Sequence, residues 1–128
     1  SETAEVPVRK YTEQMLNKTL ESGDYGQEFV DAFRANVISE ETNVASATAK
    51  VALGEADAGI TYYSDVTKDL ADKIKIIEIP DEFNIVATYV AGILTESAEK
   101  ELAQEYISLL TSEEGKAVLE EYNFAPAN

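Results

Sequence analysis

The chain has 128 residues, enough for one domain with a modest core, and its 45% apolar and 9% aromatic content excludes a disordered polymer. With 25 acidic against 10 basic residues the net charge is −15, which excludes a phosphate-gripping nucleic-acid surface and repels an anionic membrane. Cysteine and histidine are both absent, so disulfides, thiolate and zinc sites and the usual nucleophile–base pairs are excluded, and catalysis would need carboxylates alone. No run of about twenty apolar residues occurs, so no segment is expected to enter a bilayer, and the first residues lack the basic and apolar regions of a signal peptide.

Residues 1–5 read as a frayed leader. A helix is expected from near Tyr11, with Tyr11, Met15 and Thr19 on one line, Leu16 and Leu20 beside it, and a stop around Gly23. A second, short helix carries Phe29, Val30 and Phe33 at the spacing of a core-facing stripe. Val37 and Ile38 suggest a brief strand. Thr42 or Asn43 then caps a third helix, whose Val44, Ala47, Thr48 and Val51 fall at i, i+3, i+4 and i+7, and Gly54 ends it. Residues 58–63 form a short apolar run, expected as a buried strand that delivers Tyr62, Tyr63 and Ser64 to the rim where α/β folds bind ligands.

Residues 66–73 suggest a short helix or turn, and residues 74–79 a strand ended by Pro80. The β-branched run 85–94 is expected as a longer strand, with Gly92 at a bulge or a close-packing position. A helix capped by Ser97 follows, with Leu102, Tyr106, Leu109 and Leu110 on its inner face. The last helix is expected to start at Thr111, with Glu114 as its capping-box partner. Strands alternating with helices predict an α/β layer fold, and neither an internal repeat nor a low-complexity segment is present.

A helix start near residue 43 and a strand end near residue 62 would share one rim. Unpaired N–H groups and the positive end of a helix dipole at that rim suit an oxyanion or a carboxylate. Tyr62 and Tyr63 are adjacent on the expected strand and so point to opposite faces, one to the core and one to the rim. Ser64-Asp65 has no base to make it a nucleophile and reads as a helix cap. Glu40-Glu41 and Asp81-Glu82 lack calcium-loop spacing and read as solvated charge, so no metal site is expected.

Four segments in order carry a family resemblance. They are Val6-Pro7-Val8-Arg9-Lys10-Tyr11; Asn43-Val44 leading into Leu53-Gly54-Glu55-Ala56-Asp57-Ala58-Gly59-Ile60; Tyr62-Tyr63-Ser64-Asp65; and Ser112-Glu113-Glu114-Gly115 with Tyr122-Asn123-Phe124. Together they resemble the solute-binding proteins of molybdate and tungstate ABC transporters. The resemblance implies an α/β fold, one lobe of a type II periplasmic-binding-protein-like clamshell with a mixed sheet flanked by helices. Residues 1–128 would be a single lobe-like domain, with 1–87 as second-lobe core and 88–128 as the segment that crosses back to a first lobe.

The resemblance further implies a non-enzymatic role outside the cytoplasm, capturing a tetrahedral oxyanion and presenting it to an ABC permease, with no cofactor. Carried over by position, the ligands are the backbone N–H groups of Val8 and Val44 and the hydroxyl of Tyr62, with Arg9 and Asn43 as possible accessories. Neutral donors suit an ionised oxyanion, which offers only acceptors. One departure concerns Arg9, which stands where the family has glycine and would either block close approach or add a charged contact. A first lobe absent from this sequence, or a second copy of the chain, would cover the last two helices. The alternative is a ligand-sensing or protein-interaction module that reuses the same lobe.

Overall fold

The computed structural model describes residues 6–125, and its elements follow from local signals in the chain. Helix α1 spans Pro7–Ser22, four residues earlier than the expected start at Tyr11, because Pro7 at the first helical position has its φ already set for a helix and lacks an N–H that would need a partner. Gly23 ends α1 in the left-handed region, at φ 80°, where a side chain would be strained. Helix α2 spans Gln27–Ala35, and helix α3 spans Val44–Ala52. Asn43, rather than Thr42, caps α3: its side-chain oxygen accepts the N–H of Ser46 at 2.9 Å. A single 3-10 turn at Tyr63–Asp65 and the short helix α4, Lys68–Ala71, follow.

The chain divides into two units, Ser1–Val86 and Ala87–Asn128. In the first, Met15 and Leu16 of α1 meet Val30 of α2 and Phe83, with Phe33, Ile60, Ile79 and Ile85 packed around them. Phe83 reaches this core from a turn in which the Phe83 and Asn84 N–H groups both donate to the Pro80 carbonyl at 2.9 Å. Lys18 fastens that turn to α1 by donating to the Asn84 carbonyl at 2.8 Å.

In the second unit, α5, Lys100–Thr111, and α6, Glu113–Glu121, form a tight helical pair. Ser97 accepts the Glu99 N–H at 3.2 Å just ahead of α5. The cap of α6 is Ser112, one residue later than expected, and it accepts the N–H of Gly115 at 3.1 Å, so Glu114 closes no capping box. Gly115 is required here: a Cβ would sit 2.0 Å from the Leu109 carbonyl oxygen. Tyr89 packs edge-on against Phe124.

The expected mixed sheet is not formed. Among the described residues none lies in a strand, which overturns the expected α/β layer fold with a mixed sheet flanked by helices. Residues 58–62, 74–79 and 85–94 run without regular secondary structure. A strand needs a neighbouring backbone to take its N–H and C=O groups, and these segments have no such ladder. Apart from Ile60, Ile79 and Ile85, which pack on the core, many of their apolar side chains are exposed, Val90 at 92%. Gly92 sits in open space rather than at a close contact or bulge. The inner face expected for α5 is also uncovered, with Leu102 and Tyr106 more than 60% exposed.

Candidate functional site

The first turn of α1, the C-terminal half of α2, the connection leading into α3, and α3 itself wall an open cleft of about 900 Å³. Val8, Arg9, Asn43 and Val44 all line it. Val8 is the second residue of α1, and the N-cap Val6 has no side-chain oxygen to offer, so among the described residues no cap takes the Val8 N–H. The next amide, Arg9, donates instead to the Val6 carbonyl at 3.0 Å. Val44 is the first residue of α3, and the Asn43 cap serves Ser46 and leaves the Val44 amide at the helix start. Two helix N-terminal turns therefore face one cleft, each with the positive end of its dipole there.

Tyr62 lies elsewhere. It lines a small neighbouring pocket of about 50 Å³ with Tyr11, Thr61 and Asn84, and Val8 borders both spaces. Its ring is half-buried and edge-on to Tyr11, the centroids 6.4 Å apart. Tyr63 is exposed at the start of the 3-10 turn. Ser64 and Asp65 lie inside that turn, which corrects their reading as a helix cap.

A hydroxyl pair holds α3 against the segment that leads to Tyr62. Thr48 is 3% exposed, hydrogen-bonds the Val44 carbonyl at 3.0 Å and lies 3.1 Å from the Thr61 hydroxyl. The Thr61 hydroxyl in turn lies 3.4 Å from the Tyr62 carbonyl oxygen. Gly59 passes close to α3, where a Cβ would come within 3.1 Å of Val51. The 3.6-residue spacing marked Thr48 only as part of a core stripe. Its hydroxyl, four residues after Val44, was the available sign of back-bonding to the first turn.

Three ion pairs lie on the cleft wall. Arg9 forms an ion pair with Glu40, and Arg34 donates to Glu13 at 2.7 Å. Lys50 sits 2.6 Å from Glu41 and donates to Ser39 at 2.9 Å, while Ser39 also hydrogen-bonds Glu41. Glu40 and Glu41 are therefore ion-pair partners on the cleft, not the solvated charge their spacing suggested. The Lys50 hydrogen bond, with that of Ser39, holds the Glu41 carboxyl below its ordinary value, and the same bond to Glu41 raises Lys50. Hydrogen bonding to Glu13 keeps Arg34 above the usual guanidinium value. Among the described residues no group of acidic side chains could hold a metal ion, and no helix is long and apolar enough to cross a membrane.

The chain belongs to the bacterial extracellular solute-binding protein family, whose profile matches residues 1–125. Among curated proteins it is similar to the molybdate-binding protein ModA of Mycobacterium bovis, 31% identical over 90 residues that make up 70% of this chain and 34% of that protein. ModA of Mycobacterium tuberculosis matches to the same extent. The chain thus spans about a third of the length of the curated relatives it matches. The resemblance to molybdate-transporter binding proteins read from the ordered motifs is borne out by these matches. No solved structure matches the chain.

Proposed function

We propose that the chain forms part of an extracytoplasmic binding protein that captures a tetrahedral oxyanion of the molybdate or tungstate kind and presents it to an ABC permease. No bond is made or broken. The observation that supports this reading is that Val8 and Val44, at the starts of two helices, line one cleft in a chain of the solute-binding protein family. Rigid N–H donors favour a fully ionised anion, because a protonated one must itself donate. Tyr62 is the proposed third donor, from the adjoining pocket that Val8 also lines. The surface charge of −15 does not forbid capture, since exposed charges are screened over about 8 to 10 Å while donors act at contact.

Magnitudes set the expected affinity. Three hydrogen bonds to a charged ligand contribute about 1.5 to 3 kcal/mol each before the losses of association, and micromolar affinity needs about 8 kcal/mol net. The chain alone should bind weakly, at about 0.1 to 1 mM. The uncovered faces of α5 and α6 support a partner for residues 87–128, either the remainder of a longer binding protein or a second copy of the chain. Calorimetric titration with molybdate, tungstate, sulfate and phosphate tests the proposal. Saturable binding of one or more of these is expected, and no heat with any of them would contradict it.

A further inference from the structure

We infer that Glu40 is a built-in competitor for the oxyanion: its carboxylate occupies the Arg9 guanidinium on the cleft wall, and a bound dianion takes its place there. The inference rests on the oxyanion reading above and deepens it by naming what the anion must displace. Arg9 directly follows Val8 in the first turn of α1, and Glu40 precedes the Asn43-Val44 start of α3, so the ion pair joins the two donor-bearing helix starts.

Three cations line the cleft, and their ties differ. Lys50 is bound twice, by Glu41 and by Ser39, and Arg34 makes a well-formed charge-assisted hydrogen bond to Glu13 at 2.7 Å. Among the described residues the Arg9 guanidinium has Glu40 alone. Both side chains of that pair are 39% exposed, so Glu40 can turn into water when it is displaced, without leaving a buried charge. The wall carries four carboxylates, Glu13, Glu40, Glu41 and Asp57, against those three cations. A dianion entering such a wall gains more by exchanging with a carboxylate on an existing cation than by adding to a net negative surface. Arg9 thereby acquires a role: held by Glu40 it offers no counter-charge, and released it offers two parallel donors to an oxyanion edge.

The test is titration of sodium molybdate into the full chain and its Glu40→Gln, Arg9→Gln and doubly substituted variants, each at low and at raised sodium chloride. Removing the competitor should tighten binding about three- to tenfold at low ionic strength, with a smaller gain in high salt. Arg9→Gln should weaken binding, and the gain from Glu40→Gln should shrink when Arg9 is absent. Unchanged or weaker binding by Glu40→Gln, with the unsubstituted chain binding, overturns the inference and leaves the oxyanion reading standing. An equal gain with and without Arg9 also overturns it, because Glu40 would then act only as a repelling charge. Absence of binding in all four proteins removes the oxyanion reading and the inference with it.

Discussion

Thr48 and Thr61 place their hydroxyl oxygens 3.1 Å apart, and this contact ties α3 to the segment that carries Tyr62. Thr48 also bonds the Val44 carbonyl, so one buried side chain fixes the first turn of α3 and its distance from the aromatic pocket. Thr48→Val keeps the shape and removes both hydrogen bonds. A loss of about 1 kcal/mol in unfolding free energy is expected from urea titration. Oxyanion affinity should fall alongside, since Val44 and the Tyr62 segment are then less firmly positioned. Unaltered stability would mean that the hydroxyl pair contributes nothing net.

Leu16 is the most deeply buried large side chain described, at 1% exposure, and few others support it: Met15, Val30 and Phe83 complete its buried cluster. Leu16→Ala should cost about 2 to 5 kcal/mol, a large share of the roughly 5 to 15 kcal/mol of an ordinary domain. Far-UV circular dichroism at 25 °C should show loss of much of the helical signal from the first unit. A transition within about 0.5 kcal/mol of the parent would contradict this account of the core.

Gly115 sets two effects against each other. Alanine at this position gains about 1 kcal/mol in helix propensity, whereas its Cβ would fall 2.0 Å from a main-chain oxygen of Leu109, which cannot yield as a flexible side chain could. The clash should win by about 1 to 3 kcal/mol. Amide hydrogen exchange in α5 and α6 should accelerate in Gly115→Ala while exchange in α1 stays as it was.

The Glu41–Lys50 pair makes stability depend on pH at both ends. Glu41 has a folded pKa below its ordinary value near 4.5, so its contribution is present above that value and is lost as pH falls through the lowered one. Lys50 has a folded pKa above 10.5, so its contribution is present below that value and is lost as pH rises through the raised one. Thermal melts of Glu41→Gln should lie below those of the parent at neutral pH and converge with them on the acid limb. Parallel curves across that limb would show that the pair is not titrating there.

The helices were largely legible because their ends are written in single residues: Asn43 as a cap, Gly23 and Gly54 as stops; the α6 cap was read one residue early, at Thr111 instead of Ser112. Pro7 was the overlooked signal, and reading it as a helix start would have moved Val8 and Arg9 into α1. Strands were not legible, because an apolar β-branched run such as 85–94 records a wish for burial and not the presence of a partner backbone. The family was readable from motifs in order, since each preserves a local turn or helix start. The pairing of Arg9 with Glu40 is a tertiary fact between residues far apart in the chain, and adjacent glutamates look alike whether solvated or paired.

The exposed apolar residues carry a related lesson. Leu102 and Tyr106 keep the spacing of a buried stripe, yet among the described residues both stay more than 60% exposed. Sequence periodicity fixed which face seeks cover and was silent on what supplies it.

Nitrogen-15 correlation spectra of the full chain during titration with sodium molybdate test the central claim most directly. The account predicts that the Val8 and Val44 amide signals shift together along one saturation curve, each moving more than the amides of α5. Saturable binding in which both signals stay still, or in which only one of them moves, would contradict a site shared by the two helix starts.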